Sequence, residues 1–333
     1  MKAAYITQYG QHQSLEIGNR PMPAIGPRDL LVAVKAASVN PLDYKIRDGH
    51  LKRVVDYPMP QILGQDVSGT VTAVGDKVTR FKVGDAIFAR LDRTRIGTFA
   101  EFAAVREADA AIKPANVSHE EAASLPLVGL TAWQALGGLA GLKTGQRALI
   151  HAGSGGVGTF AVQLAKYFGA EVSATTSARN ASLVKRLGAD TVIDYQSQRF
   201  EDHCQDLDVV LDMHGGDTLL RSIPLVKRSG HAITIGGMPT AAVMEELGQP
   251  VFVRWYAAFA NRHASALAKK HGVNFSYLAM AASGVQLGAI AKLVESKTIL
   301  PVIDKVFSLD QARDALAYVE AGHAAGKVVI CVS

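Results

Sequence analysis

The sequence predicts a two-domain α/β protein, in which a β-rich region precedes a parallel sheet covered by helices. Three observations support this fold class. The 333 residues suit about two domains of ordinary size. The first ~120 residues contain short β-patterned segments separated by proline and glycine. From about residue 125 onward, apolar strands alternate with helical segments, as in a sheet covered on both faces.

The β-rich region contains two clear strand patterns, at residues 30–36 and 67–74, and a turn that leads into a third strand within 83–88. Glycine, proline or aspartate bounds each segment, which is typical of strand ends. Prolines at positions 21, 23, 27, 58 and 60 argue against long helices, because proline removes a backbone donor. We therefore expect a small domain built mainly from strands.

The second region alternates between two periodicities. Short apolar segments predict strands at 147–152, 171–175, 191–194, 207–212 and 231–235. The apolar residues of 156–168 share one helical face. A further helix is predicted over 179–187, with Gly188 as its C-cap. Continuous apolar strands connected by helices indicate a parallel sheet that is buried on both faces.

The alternation pauses over residues 240–272, which contain several aromatic residues and partly helical spacing. A core helix, a subunit-contact helix or a substrate lid would each fit this segment. A strand over 273–280 and a helix over 284–297 follow. The tail predicts strands at 301–307 and 327–332 around a helix at 309–321, and this tail is expected to rejoin the sheet of the first domain.

Composition excludes several classes of protein. Hydrophobic residues make up 48% and charged residues 20%, which is ordinary globular usage rather than disorder. Two cysteines, Cys204 and Cys331, cannot supply a disulfide framework or a four-cysteine zinc site. The chain has no run of 18 apolar residues and no signal-peptide pattern, so we expect a cytoplasmic protein with no membrane partner. The net charge is +5, and the 35 basic residues are scattered along the chain with no Lys/Arg-rich block interleaved with aromatic residues, which argues against a nucleic-acid partner.

A glycine-rich turn carries the chemistry. Gly153, Gly155 and Gly158 satisfy G-x-G-x-x-G, with Gly156 as an additional glycine, and a predicted strand precedes the turn while a predicted helix follows it. The first glycine allows a tight turn, the second lets the backbone approach a pyrophosphate, and the third lets the helix pack on the strand. The helix N-terminus then offers N–H groups to the anion. A dinucleotide-binding site is the prediction.

The end of the next strand indicates which dinucleotide binds. An NAD site usually carries Asp or Glu about 20 residues after the glycines, where the carboxylate accepts a hydrogen bond from the ribose 2′-hydroxyl. Residues 175–180 contain no carboxylate; they offer the hydroxyls of Thr176 and Ser177, the guanidinium of Arg179 and the amide of Asn180. These groups suit a 2′-phosphate, so NADPH is the expected cofactor. Arg179 as an ordinary exposed helix residue is the alternative.

At these motifs the sequence resembles the medium-chain dehydrogenase/reductase superfamily, and within it the zinc-free quinone oxidoreductase (zeta-crystallin-like) branch. The likeness covers nearly the whole chain, and all of its motifs occur in the expected order. They are N-P-x-D-x-x-x-R at 40–47, G-x-D-x-x-G at 64–69, paired turns at 74–78 and 81–85, G-T-F-A-E-F at 97–102, and A-x-x-G-G-V-G at 152–158.

The resemblance implies a discontinuous GroES-like barrel domain (residues 1–124 and 300–333), a Rossmann domain (125–299), a cofactor in the cleft between them and a homodimer. It also implies functional residues. Those expected at the acceptor and at the nicotinamide are Asn40, Tyr44, Lys45, Asp66, Thr131, Ile235, Gly236, Gly237 and Lys327. Those expected at the phosphates are Gly153, Ser154, Gly155, Gly156, Val157, Gly158, Thr176, Ser177, Arg179, Asn180 and Tyr195. Some members of the branch have Tyr at the position of Lys45, whereas here Tyr occupies position 44.

A metal is not expected. Zinc-dependent relatives bind catalytic zinc through Cys at the position of Asn40 and His at the position of Gln65, and amides are poor zinc ligands beside thiolate and imidazole. His151, His214 and His231 fall near predicted strand ends, where packing or satisfaction of polar groups is the favoured role, although His214 could instead tune the cofactor pocket.

Without zinc no Lewis acid stabilises an alkoxide, so the favoured reaction is hydride transfer from NADPH to a quinone or an activated alkene. Asn40, Tyr44, Lys45 or a water would donate to the acceptor oxygen, with Lys45 first. Lys45 could instead serve cofactor binding or form a salt bridge with Asp43 or Asp48. One alternative function is an NADPH-binding protein with little turnover, such as a redox sensor, a crystallin-like protein or an RNA binder. The other is an alcohol dehydrogenase.

Overall fold

A computed structural model describes residues 1–11 and 15–332. In chain order, the strands are β1 (Lys2–Ile6), β2 (Glu16–Asn19), β3 (Asp29–Val39), β4 (Gln61–Ile62), β5 (Asp66–Val74), β6 (Ala86–Arg90), β7 (Phe102–Arg106), β8 (Ala110–Ile112), β9 (Arg147–Ile150), β10 (Glu171–Thr176), β11 (Thr191–Asp194), β12 (Leu207–Asp212), β13 (Val226–Thr234), β14 (Asn274–Tyr277), β15 (Ile303–Ser308) and β16 (Lys327–Cys331). The α-helices are α1 (Pro41–Arg47), α2 (His119–Ala123), α3 (Pro126–Ala132), α4 (Gly156–Tyr167), α5 (Ala181–Arg186), α6 (Gly216–Ser222), α7 (Ala241–Glu246), α8 (Val251–Ala260), α9 (Arg262–His271), α10 (Gly284–Glu295) and α11 (Ala312–Glu320).

The chain divides into two compact units. Unit 1 comprises Met1–Leu130 and Ala281–Ser333, and unit 2 comprises Thr131–Met280. The first boundary lies at 130/131, close to the expected 124/125. The second lies at 280/281 instead of the expected 299/300, because α10 packs within unit 1. A Cβ atom on Gly284 would lie 2.2 Å from the carbonyl oxygen of Ala110, and the Asn116 amide donates to the carbonyl of Val294 at 3.1 Å.

Unit 1 is a β-domain organised around the 11-residue strand β3. Its larger sheet has the order β15-β16-β3-β5-β6-β8, and β7 also pairs with β3; β2, β1 and β4 form a second, three-stranded sheet. Strand β16 pairs antiparallel with β3, with Val329 opposite Ser38, so the prediction that the tail rejoins the first domain is confirmed. The pairing of Ser38 with Asp66 across β3 and β5 brings the end of β3, the start of β5 and the start of β16 together.

Unit 2 contains the predicted parallel sheet. The strand order is β11-β10-β9-β12-β13-β14, and each neighbouring pair is parallel. This is the 3-2-1-4-5-6 order of a Rossmann fold, in which ligands bind beyond the carboxyl ends of the strands where the order reverses. That point lies between β9 and β12. Because β9 and the buried face of α4 are apolar, they pack together there and fix the position of the glycine turn.

The segment 240–272 forms three helices, α7 to α9. Helix α9 buries Ala264 and Ala268 in the core of unit 2. Helix α8 buries Ala257, while its aromatic residues are exposed. The expectation of a core helix is therefore wrong for α8; a subunit contact and a substrate lid stay predictions.

Two glycines of α10 give a matched test of how this helix is attached. We expect Gly284→Ala to lower the free energy of unfolding by about 1–3 kcal/mol, because its Cβ would overlap the backbone of Ala110. Gly288 has nothing within 4 Å of an added Cβ, so Gly288→Ala should raise stability by about 0.5–1 kcal/mol. Urea unfolding of both variants measures this, and equal effects would contradict the packing of α10 on unit 1.

Candidate functional site

The glycine turn of unit 2 runs from the end of β9 to the start of α4. Ala152 has φ +50°, and the Gly155 N–H donates to the Ala152 carbonyl at 2.9 Å. Gly155 is the N-cap of α4. The chain thus reverses within a few residues and points the N-terminus of a 12-residue helix at the carboxyl edge of the sheet.

Two of the glycines are required by close approach. A Cβ on Gly158 would lie 2.1 Å from the Ala152 carbonyl oxygen, and a Cβ on Gly153 would lie 2.9 Å from the Cβ of Ala174. Real Cβ atoms do not make contacts this short, so a larger residue at Gly158 would push α4 away from the turn, and one at Gly153 would push the turn away from β10 and α5. At Gly155 an added Cβ would meet the Ala152 carbonyl oxygen at 3.3 Å, which is a milder overlap than at Gly153 or Gly158.

Ser154 is the centre of a small hydroxyl cluster beside the turn. Its Oγ accepts hydrogen bonds from the Thr176 hydroxyl at 2.9 Å and from the Asn180 amide at 3.2 Å. The structure therefore brings together three residues that the sequence assigned to phosphate binding. The cluster joins the turn to the end of β10.

The residues expected at the 2′-phosphate lie at the same edge. Thr176 is opposite Asp194 in the register of β10 and β11, so Ser177 and Tyr195 each follow directly after a strand end. Arg179 and Tyr195 are exposed. The Asp194 carboxylate accepts from the Ser197 hydroxyl at 2.7 Å and from the Gln196 N–H at 3.2 Å, so it is already engaged in its own turn.

His151 connects the strand ends from inside. One ring nitrogen lies 3.1 Å from the Thr175 hydroxyl and the other 2.9 Å from the Ser222 hydroxyl. Burial lowers the pKa of His151 to about 4, so the ring is neutral at ordinary pH. The favoured structural role is confirmed for His151. His214, in contrast, is exposed, which does not fit a buried, satisfied side chain.

The ends of β12 and β13 carry a polar contact that sequence analysis missed. The buried Asp212 carboxylate accepts from the Gly215 N–H and from the Thr234 hydroxyl, each at 2.7 Å. The same hydroxyl accepts from the Gly236 N–H at 3.1 Å. The sequence did contain a signal for this contact, because Asp212 is an acidic residue at the end of an otherwise apolar strand. Asp212 thereby fixes the 235–237 turn, which the resemblance assigns to the nicotinamide.

Unit 1 carries a buried polar cluster where β3, β5 and β16 meet. The Asp66 carboxylate accepts from the Ser38 hydroxyl at 2.8 Å, from the Asn40 amide at 2.9 Å and from the Leu127 N–H at 2.9 Å. The Lys327 ammonium lies 3.7 Å from Asp66 and donates to the Asn40 side-chain carbonyl and to the carbonyl of Val39. Burial lowers the pKa of Lys327, although Asp66 and Asp43 oppose this shift.

These bonds change the roles expected for three residues. Asn40, Asp66 and Lys327 are at most 4% exposed, and Asn40 uses its amide on Asp66 and Ser38 and its carbonyl on Lys327. Contact of Asp66 and Lys327 with a cofactor stays a prediction. The three side chains hold one another and so position the loop at the end of β3.

A second set of polar groups extends from this cluster. Asp43 accepts from the Asn40 N–H at 2.8 Å and from the Gln65 amide at 3.4 Å, and the Arg90 guanidinium donates to Gln65 at 2.6 Å. Burial, reinforced by the charge of Asp66, raises the pKa of Asp43 to about 7. Asp43 had a signal in the sequence, because it lies three residues after Asn40, as in a capping box. Arg90 had none, since its place opposite Asp66 depends on sheet register.

The other two candidate catalytic residues, Tyr44 and Lys45, are neighbours on α1 but differ in exposure. Tyr44 is half-buried and packs against the core of unit 1, and burial raises its pKa. Lys45 is exposed. Asp43 bonds within the buried cluster, and Asp48 pairs with Arg47 at 2.8 Å, so both aspartates considered as partners of Lys45 have other partners. Thr131, on α3, is buried.

Comparison with known proteins agrees with both units. A family model described as an alcohol dehydrogenase GroES-like domain matches residues 26–115, and one described as a zinc-binding dehydrogenase matches 187–330. The chain is 38% identical to human NAD(P)H oxidoreductase RTN4IP1, mitochondrial, over 100% of this chain and 89% of that protein. The chain belongs to the medium-chain dehydrogenase/reductase superfamily, in its quinone-oxidoreductase-like branch.

Further members of the superfamily show the same likeness. The Arabidopsis thaliana protein named NADPH-dependent alkenal/one oxidoreductase, chloroplastic, is 32% identical over 99% of this chain and 79% of its own length. The structure of the quinone oxidoreductase from Coxiella burnetii superposes with a TM-score of 0.87 at 32% identity, covering 100% of this chain and 99% of that one. The predicted combination of a GroES-like and a Rossmann domain is confirmed.

The zinc-binding description of one matching family prompts a test of fit. Asn40 and Gln65 occupy the positions that the resemblance assigns to zinc ligands, and their amides are engaged with Asp66, Lys327 and Arg90. A zinc ion there would meet two amides and two neighbouring cations, which is an unfavourable donor set. Within residues 1–11 and 15–332, no group of three His, Cys, Asp or Glu side chains is arranged to hold a metal. These residues do not fit zinc.

Two observations concern the cellular location of the protein: the length of its helices and the compartments in the names of its relatives. In the part of the chain that the structure describes, no helix has the length and apolar character needed to cross a bilayer. The human and Arabidopsis relatives are named as mitochondrial and chloroplastic proteins, so a cytoplasmic location stays a prediction.

The buried Asp43 predicts a specific pH dependence. A folded-state pKa of about 7 lies above the unfolded value, so the stability due to this group is full below about pH 4 and is lost as pH rises through about 7. We expect the unfolding free energy of wild type minus that of Asp43→Asn to fall by about 2 kcal/mol between about pH 5 and pH 7. Urea unfolding at several pH values measures this, and a difference that does not change with pH would contradict it.

Proposed function

We propose that the chain is an NADPH-dependent reductase that transfers hydride to quinones or activated alkenes without zinc. The glycine turn at 152–158 carries the proposal, because it places the N-terminus of α4 and the hydroxyl of Ser154 together at the carboxyl edge of the sheet. The acceptor class is supported by relatives whose names specify quinones and alkenals or enones. The amide-filled zinc position supports chemistry without a metal.

In this proposal, unit 2 holds the cofactor along the carboxyl edge of its sheet. The turn from Gly153 to Gly158 and the hydroxyl of Ser154 bind the pyrophosphate through N–H and O–H donors. Ile235, Gly236 and Gly237 lie beside the nicotinamide, and Asp212 keeps their turn in place. Thr131 approaches the nicotinamide in the same assignment.

The preference for NADPH rests on charge. Arg179, Ser177, Asn180 and Tyr195 offer donors and one cation at the end of β10 and β11, and the nearby Asp194 carboxylate is committed to Ser197 and Gln196. A 2′-phosphate gains charge-assisted bonds to Arg179. A ribose 2′-hydroxyl lacks the carboxylate that it usually donates to.

Bound NADPH supplies the hydride, so the remaining task of the chain is to orient the acceptor and to stabilise its oxygen. We assign the second task to Lys45, whose ammonium is exposed on α1. Asn40 has no amide hydrogen left to donate, since Asp66 and Ser38 accept from it. Asn40 is therefore a positioning residue, and Tyr44 positions α1, which carries Lys45, by packing against the core of unit 1.

The proposed assembly is a homodimer in the cytoplasm. The dimer follows from the family resemblance, and it is supported by β14, which is the outer strand of its sheet and so presents a backbone edge to a second copy. Cys204 and Cys331 are both thiols, which suits a reducing compartment.

A panel of acceptors tests the reaction. The purified protein should oxidise NADPH with quinones or enones, should not lose activity to chelators, and should contain no stoichiometric zinc, because neither amide at the zinc position suits the ion. About one zinc per chain, together with loss of activity on chelation, would contradict the proposal. Tight NADPH binding without turnover on any acceptor would instead favour a binding protein.

Two exposed cations, one on each unit, give a matched pair for the assigned roles. We expect Arg179→Gln to lower kcat/KM for NADPH by about tenfold or more and to leave NADH within about twofold, since only the 2′-phosphate loses a charge-assisted bond. Lys45→Gln should lower kcat by about tenfold with either cofactor. Steady-state kinetics with both cofactors measures these effects. A wild-type preference for NADH would overturn the assignment of Arg179 to the 2′-phosphate. A Lys45→Gln variant that raises only the KM for NADPH would overturn the assignment of Lys45 to the acceptor oxygen.

A further inference from the structure

Helix α8 presents an aromatic face to solvent. Phe252, Trp255, Tyr256 and Phe259 follow the spacing of a single helical face, and they are 67%, 74%, 62% and 61% exposed. A stripe of this kind on a surface helix normally faces the core. Here the buried residue of the helix is Ala257. Four large aromatic side chains on one exposed face indicate a surface that is covered by something else.

Bonds within unit 2 hold this face in place. Arg254 pairs with Glu245 of α7 at 2.8 Å. At the corner between α8 and α9, the Asn261 amide donates to the carbonyls of Met238, Pro239 and Ala257 at 3.2, 3.1 and 2.9 Å. The outward orientation of the aromatic residues is therefore set by specific contacts and is a fixed feature of the fold.

The same two helices concentrate positive charge. No Asp or Glu occurs between residues 247 and 294, and residues 251–271 contain four Lys or Arg, which equals a charge of +4 out of the net +5 of the chain. Arg254 is paired, whereas Arg262, Lys269 and Lys270 are exposed. The Arg262 guanidinium lies 3.9 Å from the centre of the Phe259 ring, so one cation borders the aromatic face directly.

We propose that α8 and α9 dock unit 2 onto the surface of an anionic phospholipid bilayer. The four aromatic side chains insert at the level of the headgroups, and Arg262, Lys269 and Lys270 contact the lipid anions. Trp and Tyr favour this interfacial depth, and a helix with an aromatic face and nearby cations is typical of helices that lie in a membrane surface. The expectation of no membrane partner rests on the lack of a spanning segment and of a signal-peptide pattern, and a helix that lies in the membrane surface needs neither.

Charge favours a bilayer over the two other occupants of such a face. The proposed dimer uses the edge of β14, whereas a second copy seated on α8 itself would bring the same acid-free, basic helices against this one, and like charges repel. A nucleic acid binds mainly through many phosphate contacts, and three unpaired cations supply few. An anionic bilayer uses both the aromatic residues and the cations. The proposal uses no step of the redox chemistry, so it stands or falls independently of the proposed function.

Trp255 provides a direct probe. The chain has two tryptophans, so Trp133→Phe leaves Trp255 as the only one. With vesicles of phosphatidylcholine containing about 30% phosphatidylserine, we expect its fluorescence to shift to the blue and its quenching by iodide to fall. Vesicles of phosphatidylcholine alone should give a much smaller change. No change with the anionic vesicles would overturn the proposal, and this measurement requires no alteration of the face itself.

Two sets of substitutions separate the contributions. An aromatic variant combines Phe252→Ser, Trp255→Ser and Phe259→Ser, and a charge variant combines Arg262→Gln, Lys269→Gln and Lys270→Gln. Each variant should weaken co-sedimentation with the anionic vesicles by about tenfold or more. The control Val83→Ser with Val285→Ser alters exposed apolar residues of unit 1 and should have no effect. NADPH binding should be retained in all three variants.

The molar mass in solution and the binding of RNA test the two competing occupants of α8, which are a second copy of the chain and a nucleic acid. If the aromatic variant is a monomer while the wild type is a dimer by light scattering, a second copy covers α8 and the proposal is wrong. If the variants lose binding to a single-stranded RNA oligonucleotide and keep binding to the vesicles, a nucleic acid is the partner and the proposal is again wrong.

Discussion

The approach of α4 to the turn that precedes it is the contact on which the proposed site of unit 2 depends. The Cα of Gly158 lies so close to the Ala152 carbonyl that an added Cβ would be 2.1 Å from that oxygen. This contact brings the helix N-terminus to the carboxyl edge of the sheet, where Ser154, Thr176 and Asn180 meet. A backbone so placed offers N–H groups to an anion without the obstruction of side chains. Phosphate recognition therefore follows from packing as much as from any single polar residue.

Unit 1 solves a different problem, because it buries charge. Asp66 and Lys327, with Asn40 between them, satisfy one another inside a β-domain, and Asp43, Gln65 and Arg90 extend the cluster. Buried ionic groups of this kind are costly unless each has a partner, and removing one partner destabilises the fold. In this arrangement, amides and cations occupy the position where zinc-dependent relatives hold a metal. The chemistry left to such a protein is the reduction of acceptors that are already activated.

Much of this could be predicted from the sequence, for identifiable reasons. The glycine turn and the alternation around it depend on local patterns, so the sequence predicts them. The strand patterns of the tail and the family resemblance predict that the tail rejoins the first domain, whereas its pairing with β3 is a long-range contact that no local pattern shows. The boundary near residue 281 was not, because the attachment of α10 depends on Gly284 approaching Ala110, which no local pattern shows. The placement of Asp66 and Lys327 at the cofactor stays a prediction, whereas their burial against each other could not be predicted, because it depends on the register of the sheet. The aromatic residues of α8 follow a helical pattern that normally indicates a core, and periodicity alone does not distinguish an inward face from an outward one.

Titration with NADPH, followed by both nucleotide fluorescence and thermal unfolding, tests most directly whether the turn at residues 152–158 is a phosphate site. The wild type should show saturable fluorescence enhancement, and its unfolding free energy should rise by about 2.7 kcal/mol at a free ligand concentration of about 100 Kd. Gly158→Val should show neither effect while keeping a cooperative unfolding transition. If wild type shows no enhancement and no thermal protection, or if Gly158→Val binds as tightly, the turn is not the cofactor site.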